Sequence, residues 1–147
     1  MPKVYLGEFQ HSIDRQRRLS IPREWKSDCK DEEFFLLPGR DKVVQVMPYD
    51  YFMTSIYDKL KDTPSADSSR LLTQIGRHGH KCKRDMQGRI NLSPKLLEHA
   101  GLSLPDQVEL LGSLHYFEVR AVRDESTDVD EFLNMLEDIQ KSKSSEV

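Results

Sequence analysis

An internal repeat is the feature that most constrains the fold of this chain of 147 residues. Residues 14–21 read DRQRRLSI and residues 85–92 read DMQGRINL. Both segments carry aspartate, glutamine and arginine at the same spacing, followed by an apolar, a polar and an apolar residue. The offset of 71 residues is close to half the chain. A repeat on this scale indicates a duplicated supersecondary unit, so we expect two copies of one small module.

The elements predicted around the two copies follow the same order: strand, turn, strand, helix, strand, strand, helix. Alternating apolar residues predict strands, and apolar residues at helical spacing predict helices. The predicted strands are 4–13, 19–21, 34–37 and 43–47, then 78–84, 90–92, 108–111 and 116–119. Helices are predicted from 23 to about 28, after Pro48, around 71–75, over 95–100 and near the end of the chain, with a turn at Pro38-Gly39.

The repeat divides the chain into two modules. The first module covers residues 1–65, the second with its closing helix covers 66–141, and a polar tail expected to be disordered covers 142–147. Hydrophobic residues make up 37% of the chain and charged residues 32%. This composition supports a core, but each half alone would be marginally stable. We therefore expect the halves to share a core, or the chain to oligomerise.

Positive charge is concentrated in two islands although the net charge is −3. The first island runs from Arg15 to Lys26 and contains a single acid, Glu24. The second runs from Arg70 to Lys95 and contains a single acid, Asp85. The closing segment is acidic. This polarity predicts that an anionic partner binds at the islands.

Several classes of function are not indicated by the sequence. No apolar run approaches the roughly 20 residues that span a bilayer, so we expect no membrane partner. Cys29 and Cys82 are interpreted as free thiols in a reducing compartment, which favours the cytoplasm. Phosphate-binding glycine loops and recognised catalytic orders are missing from the sequence. We therefore expect a protein that is not an enzyme and has neither cofactor nor small-molecule substrate.

The repeated motif has a simple local explanation and a functional one. Asp14 and Arg18, like Asp85 and Arg89, can pair across a turn, although an exposed pair contributes only about 0–1 kcal/mol. The pairing leaves the neighbouring Arg15 and Arg17 unexplained. Guanidinium groups bind phosphate and the O6/N7 edge of guanine, so the first turn is predicted to bind an anion.

The pattern GEFQHSIDRQRRLSIP over residues 7–22, followed by DMQGRINL, resembles the MraZ family of bacterial transcription regulators. The resemblance implies an α+β fold, a tandem duplicated AbrB-like swapped-hairpin (double-ψ-like) β-barrel with peripheral helices. It also implies a cytoplasmic, nucleoid-associated homo-oligomer, a ring of many subunits. Such a protein would bind double-stranded DNA at short G-rich direct repeats ahead of the division and cell-wall gene cluster, and would act as a repressor.

The resemblance also assigns roles to individual residues. Arg18 matches the motif arginine that contacts DNA, and Arg89 matches its counterpart in the second copy, where the role is more often structural. The full set of expected DNA-binding residues is Lys3, Arg15, Gln16, Arg17, Arg18, Arg84 and Arg89. Gln16 and Arg17 stand where the family usually has a basic residue and glycine. Because glycine eases a left-handed turn, arginine there either strains the turn or changes its type.

Two other functions are weighed against DNA reading. The AbrB-like fold also serves antitoxins, and the acidic closing helix fits a protein-interaction module that has lost base reading. His78, His80 and Cys82 would share a face of one strand and could hold a metal, although the paired spacing of zinc modules is missing. We expect no metal there, because surface histidines in a basic strand account for the pattern. Trp25 is expected at the joint between modules, and Tyr49, Phe52 and Ile56 in the core.

Overall fold

The computed structural model describes residues 4–29, 31–123 and 129–144. Its strands are β1 (Glu8–Ile13), β2 (Arg18–Ser20), β3 (Glu33–Gly39), β4 (Val43–Pro48), β5 (His80–Lys83), β6 (Arg89–Asn91), β7 (Asp106–Gly112) and β8 (Phe117–Ala121). Its helices are α1 (Tyr49–Phe52), which continues through a π-helical turn (Met53–Tyr57) into α2 (Asp58–Asp62), then α3 (Ala66–His78), α4 (Pro94–Ala100) and α5 (Val129–Ser144). A short 3₁₀ helix covers Arg23–Trp25.

All eight strands form one antiparallel sheet in the order β5-β3-β4-β8-β7-β1-β2-β6. The hairpin β3–β4 from the first half lies between strands of the second half, and the hairpin β7–β8 lies between strands of the first. The end strands β5 and β6 approach each other, and His80 Nε2 lies 3.3 Å from Asn91 Oδ1 across the gap. The predicted α+β barrel, nearly closed and built from interleaved hairpins, is confirmed.

The core lies inside this barrel and is shared by both halves. Alternate residues of every paired strand point inward, as the two-residue period of a strand requires. Trp25 is 1% exposed, and its ring centroid lies 5.0 Å from that of Phe117 in the second half. Its indole Nε1 donates to the carbonyl of Leu6 at 2.8 Å. Trp25 therefore joins the halves, as predicted. Phe52 is buried against Phe35, whereas Tyr49 and Ile56, also predicted in the core, are only half-buried.

Several predicted boundaries differ from the structure. The helix predicted from residue 23 stops at Trp25, because Lys26 adopts extended backbone angles. The turn predicted at Pro38-Gly39 is wrong, since both residues belong to β3 and the reversal follows them. Pro38 pairs with Val44 but lies beyond the part of β3 that pairs with β5. Proline is tolerated there because only one neighbouring strand is present.

The second half begins with a longer helix than its apolar residues suggest. The Ser65 hydroxyl caps α3 by accepting from the backbone N–H of Ser68, and the helix continues to His78. The short strand β5 therefore starts at His80. Farther on, Ser93 caps α4 and Gly101 ends it in a left-handed conformation, as the sequence predicts.

The closing helix α5 presents apolar side chains to solvent. Its exposed residues include Val129, Phe132, Leu133, Met135, Leu136 and Ile139. The helix runs through Ser144, so the first residues of the expected polar tail are helical, and residues 145–147 lie outside the described part. Across the described ranges, the helices are too short or too polar to cross a membrane.

Candidate nucleic-acid interface

The first copy of the motif forms a tight turn between β1 and β2. Asp14 Oδ1 accepts from the backbone N–H groups of Gln16 and Arg18, each at 2.9 Å. Arg18 Nε donates to the other carboxylate oxygen at 2.8 Å. The backbone N–H of Arg17 closes the turn on the Asp14 carbonyl at 3.0 Å. The carboxylate therefore holds both the turn and the arginine that follows it.

The second copy reproduces this network between β5 and β6. Asp85 Oδ1 accepts from the N–H groups of Gln87 at 2.9 Å and Arg89 at 2.8 Å. Arg89 Nε donates to Asp85 Oδ2 at 2.8 Å, and Gly88 N–H closes the turn at 3.0 Å. In both turns the arginine uses Nε internally, and its terminal nitrogens make no hydrogen bond to the described residues. Those nitrogens are available to a ligand.

The hydrogen bonds around both aspartates favour their charged forms. The backbone N–H of Arg18 is the main cause that lowers the pKa of Asp14. Desolvation is the largest influence on Asp85 and opposes ionisation, but the hydrogen bonds from Arg89 and Gln87 together outweigh it and lower the pKa of that carboxyl. Both turns therefore keep a charged carboxylate, and this carboxylate fixes the orientation of the arginine side chain.

The pairing of β2 with β6 places both motif arginines on one surface. Arg18 is opposite Asn91, and Ser20 is opposite Arg89. Between these pairs, Leu19 and Ile90 face inward and are buried. Residues opposite each other and two apart along a strand share a face, so the outer face comprises Arg18, Ser20, Arg89 and Asn91. We call this surface the arginine face.

The two turns lie at opposite ends of the arginine face. Arg18 and Arg89 are diagonal neighbours, a relation that separates side-chain bases by about 7–8 Å. The tip of the first turn presents Arg15 and Gln16 to solvent. The tip of the second presents Gln87 and a fully exposed Met86. Most of the residues expected to bind DNA are thus brought together, with more charge at the first turn.

Arg17 occupies a left-handed backbone conformation with φ of 65°. Gly88, at the matching position, has φ of 78°, so arginine retains the turn type and takes on its strain. The Arg17 side chain runs sideways, and its Nε donates to the carbonyl of Leu92 at 3.0 Å. The backbone N–H of Leu92 donates in turn to the Arg17 carbonyl. Arg17 therefore fastens the first turn to the second half of the chain.

Arg84 is placed differently from the other expected contacts. Its side chain is 9% exposed, and Nη2 donates to the carbonyl of Cys29 at 2.6 Å. Nη1 lies 3.8 Å from Glu32 Oε1. These internal contacts remove Arg84 from the surface and give it a structural role. Lys3 lies outside the described residues.

The residues of the metal alternative are not assembled into a site. His78 is in α3 and its Nε2 lies 3.1 Å from Gln74 Oε1, whereas His80 contacts Asn91. Cys82 points into the barrel, and burial raises its pKa to about 11. The expectation that the three share a strand face is wrong, because α3 extends to His78. Within the described ranges, His, Cys, Asp and Glu form no group of three or more that could hold a metal ion.

A second basic region forms a depression of about 920 Å³ beside the β3–β4 turn. Two of the four arginine and lysine side chains that line it bond within the fold. Arg120 Nε donates to Glu109 at 2.9 Å, and Arg123 donates to the carbonyl of Asp41. The acids Asp41 and Glu118 also line it. The arginine face is therefore the better candidate for an anionic ligand.

Sequence reasoning did not single out Lys26 as a site residue. This residue follows the 3₁₀ helix of the first half, yet its ammonium group lies over Gly88 in the second turn. A Cβ built on Gly88 would be 2.6 Å from Lys26 Cε and 2.7 Å from Nζ. The one available signal is that Lys26 ends the first basic island.

Comparisons with known proteins agree on one family. A family model described as "MraZ protein, putative antitoxin-like" matches residues 75–124, which include the second turn. The chain is similar to "Transcriptional regulator MraZ" of Limosilactobacillus fermentum (strain NBRC 3956 / LMG 18251), 30% identical over 118 residues, 79% of this chain and 80% of the relative. It is also similar to "Transcriptional regulator MraZ" of Alkaliphilus metalliredigens (strain QYMF), 33% identical over 101 residues, 67% of this chain and 69% of the relative.

Proposed function

This chain belongs to the MraZ family, and we propose that it is a transcription regulator that binds double-stranded DNA through its arginine face. The observation that carries the proposal is the placement of Arg18 and Arg89 on one outer surface, each held at Nε by an aspartate. A guanidinium oriented in this way can donate through its terminal nitrogens to a phosphate or a guanine edge.

The individual residues then have separate roles. Arg18 reads a base edge, because it is both fixed by Asp14 and partly exposed. Arg15 and Gln16 at the turn tip contact the groove or its rim, and Arg17 holds the turn in place. Arg89 contributes from the second turn. Lys3 remains a proposed helper on the DNA backbone, whereas Arg84 is left out because of its burial.

One subunit makes few contacts, so affinity requires assembly. A homo-oligomeric ring would present several arginine faces at fixed spacing, and later contacts would then be intramolecular. Tandem short repeats in DNA would offer equivalent binding sites at a matching spacing. We propose that occupation of these repeats occludes a promoter, that the protein acts as a repressor in the cytoplasm on the nucleoid, and that it needs neither a cofactor nor a catalytic step.

The exposed helix α5 favours a second candidate, a protein-interaction module. Phe132 is 58% exposed and Ile139 61%, values unusual for large apolar residues along one helix. Acidic residues Asp130, Glu131, Glu137 and Asp138 share this helix. Such a helix can bind another subunit or a different protein, as an antitoxin tail does.

A gel shift on the DNA upstream of this protein's own gene tests the first proposal. Purified protein is titrated at two salt concentrations, with scrambled DNA as competitor. We expect laddered complexes that weaken strongly with salt, because each neutralised phosphate releases counterions. Equal competition by scrambled DNA would refute sequence-specific reading, and no shift at either salt would refute DNA binding.

Deletion of residues 129–147 distinguishes the two roles of α5. Loss of the high-mass species in size-exclusion chromatography with light scattering would assign α5 to self-assembly. An unchanged assembly, together with loss of one stoichiometric partner in a pull-down, would assign it to protein interaction instead.

A further inference from the structure

The two halves distribute their positive charge differently around equivalent turns. At the offset of 71 residues, Arg17 corresponds to Gly88 and Lys26 corresponds to Leu97. The backbone bonds between halves respect this equivalence: Leu92 N–H donates to Arg17, and Ile21 N–H donates to Gly88, each at 3.0 Å. The residues at these two positions are therefore structurally equivalent between the two turns.

At the first turn the extra cation belongs to the turn itself. Arg17 bonds sideways to the Leu92 carbonyl through Nε, which leaves its terminal nitrogens without a hydrogen bond to the described residues. The residue equivalent to Lys26, Leu97, is 6% exposed and belongs to the core. It adds no charge to the first turn.

At the second turn the arrangement is reversed. Gly88 has no side chain, and the space that a Cβ would fill is occupied by the end of the Lys26 side chain. Gly88 is buried while Lys26 is exposed, so the lysine covers the glycine and presents its ammonium to solvent. No carboxylate of the described residues pairs with Lys26. Its positive charge is therefore available to an anionic ligand.

We propose that Lys26 completes a phosphate-binding site at the second turn, in place of the arginine that this turn lacks. At equivalent positions each turn then has two cations, Arg17 with Arg18 at the first and Lys26 with Arg89 at the second, and Arg15 adds a third at the tip of the first turn. The second site is composite, because Lys26 comes from the first half of the chain and Arg89 from the second. This inference rests on the proposed function and adds a DNA contact to it.

The ligand is a backbone phosphate rather than a base edge. Lysine acts as a flexible point charge, whereas bidentate base recognition uses the planar fork of arginine. The contact therefore contributes affinity that is independent of sequence and sensitive to salt. Its position over Gly88, the residue that precedes Arg89, would set the register of the duplex along the arginine face.

Replacement of Lys26 by methionine tests the proposal, because methionine keeps the aliphatic cover over Gly88 and removes the charge. Binding of the full-length protein to a labelled random-sequence duplex is measured by fluorescence anisotropy over a range of salt concentrations. We expect the slope of log affinity against log salt to fall in magnitude by about one per engaged subunit. Lys26→Arg should keep the wild-type slope.

Lys59→Met on α2 is the matched control, since this lysine is also exposed and lies outside the interface. A second variant transplants the arrangement of the first turn, Gly88→Arg combined with Lys26→Leu, and should retain the wild-type slope. Thermal unfolding is followed for every variant to confirm the fold.

The outcomes separate this inference from the function on which it rests. If wild type binds the duplex and Lys26→Met has the same slope as Lys59→Met, the role of Lys26 is overturned and DNA binding stands. If wild type does not bind any duplex, both proposals fall. If the slope of log affinity against log salt falls as much for Lys26→Arg as for Lys26→Met, the lysine acts by packing rather than by charge. This result also overturns the proposal.

Discussion

The two turns share one hydrogen-bond network and differ in what surrounds it. Asp14 and Asp85 make the same three bonds to their turns within 0.1 Å. The residues between the aspartate and the arginine differ: Arg15 at the first turn corresponds to Met86 at the second. The comparison teaches that the aspartate and arginine of the motif encode a scaffold, and that the residues between them determine how much charge the turn offers.

The motif arginines of the two turns also differ in how far their side chains are exposed. The Arg18 side chain is 38% exposed and that of Arg89 is 24%. The first turn therefore combines the more exposed motif arginine with an arginine at its tip. We expect the first turn to dominate base reading and the second to support it.

Substitution of the motif arginines gives the largest expected effect. Arg18→Ala should abolish specific DNA binding, since a good bidentate contact to a base contributes about 1–3 kcal/mol and is repeated in every engaged subunit. Arg89→Ala should cause a smaller loss. Gel shifts on the upstream DNA measure both, with Lys59→Ala on α2 as an exposed control. Equal losses at Arg18 and Arg89 would contradict the asymmetry between the turns.

Exchange of the tip residues should alter electrostatic affinity. Arg15→Met should reduce the salt slope of DNA binding by about one per engaged subunit, and Met86→Arg should increase it by a similar amount. Anisotropy titrations on a random-sequence duplex report both changes. If Met86→Arg leaves the slope unchanged, the tip of the second turn does not reach DNA.

Substitutions at the two equivalent positions, Gly88 and Arg17, should differ in their effect on the stability of the protein. Gly88→Ala should lower the free energy of unfolding by about 1–2 kcal/mol, because φ of 78° disfavours a side chain and Lys26 must move. Arg17→Gly should change it by less than about 1 kcal/mol, since relief of the strained φ opposes loss of the bond to Leu92. Urea unfolding measures both. A larger loss for Arg17→Gly would show that its link to the second half outweighs its strain.

The smallest expected effect is on acid stability. The pKa of each motif aspartate is lower in the folded protein than the usual value of 3.8. The stability that each contributes is therefore fully present above that value and is lost as pH falls through the lower folded pKa. Thermal unfolding at decreasing pH should show Asp14→Asn and Asp85→Asn each less sensitive to acid than wild type. Wild-type acid sensitivity in both variants would refute this linkage.

Much of the fold was predictable because its signals are local. The repeat predicts two matching turns, and the caps at Ser93 and Gly101 predict the limits of α4. The position of Pro38 in β3 was not predictable, because proline is permitted there only by the short reach of β5. α3 extends to His78 and ends at Gly79, whose N–H still donates to the Ile75 carbonyl, and this extension separates His78 from the strand that carries His80 and Cys82.

The candidate site shows the same division between local and distant contacts. Arg15, Gln16, Arg17 and Arg18 are adjacent in the chain, so the sequence places them together. Arg84 has the same charge and the same proximity to a motif, but its partner Cys29 is 55 residues away and draws it inside. Lys26 lacks any motif and reaches the interface through the fold. Composition cannot distinguish an exposed cation from a buried one.

The sequence by itself determined the duplication and the aspartate–arginine network of each turn, because those bonds join residues at most four positions apart. Only the tertiary structure decided that both arginines share one face, that Arg17 fastens to Leu92 and that Lys26 covers Gly88. Arg17 and Leu92 are 75 residues apart, and hairpins of opposite halves must interleave before they meet. Contacts of that range depend on strand order, which no local pattern specifies.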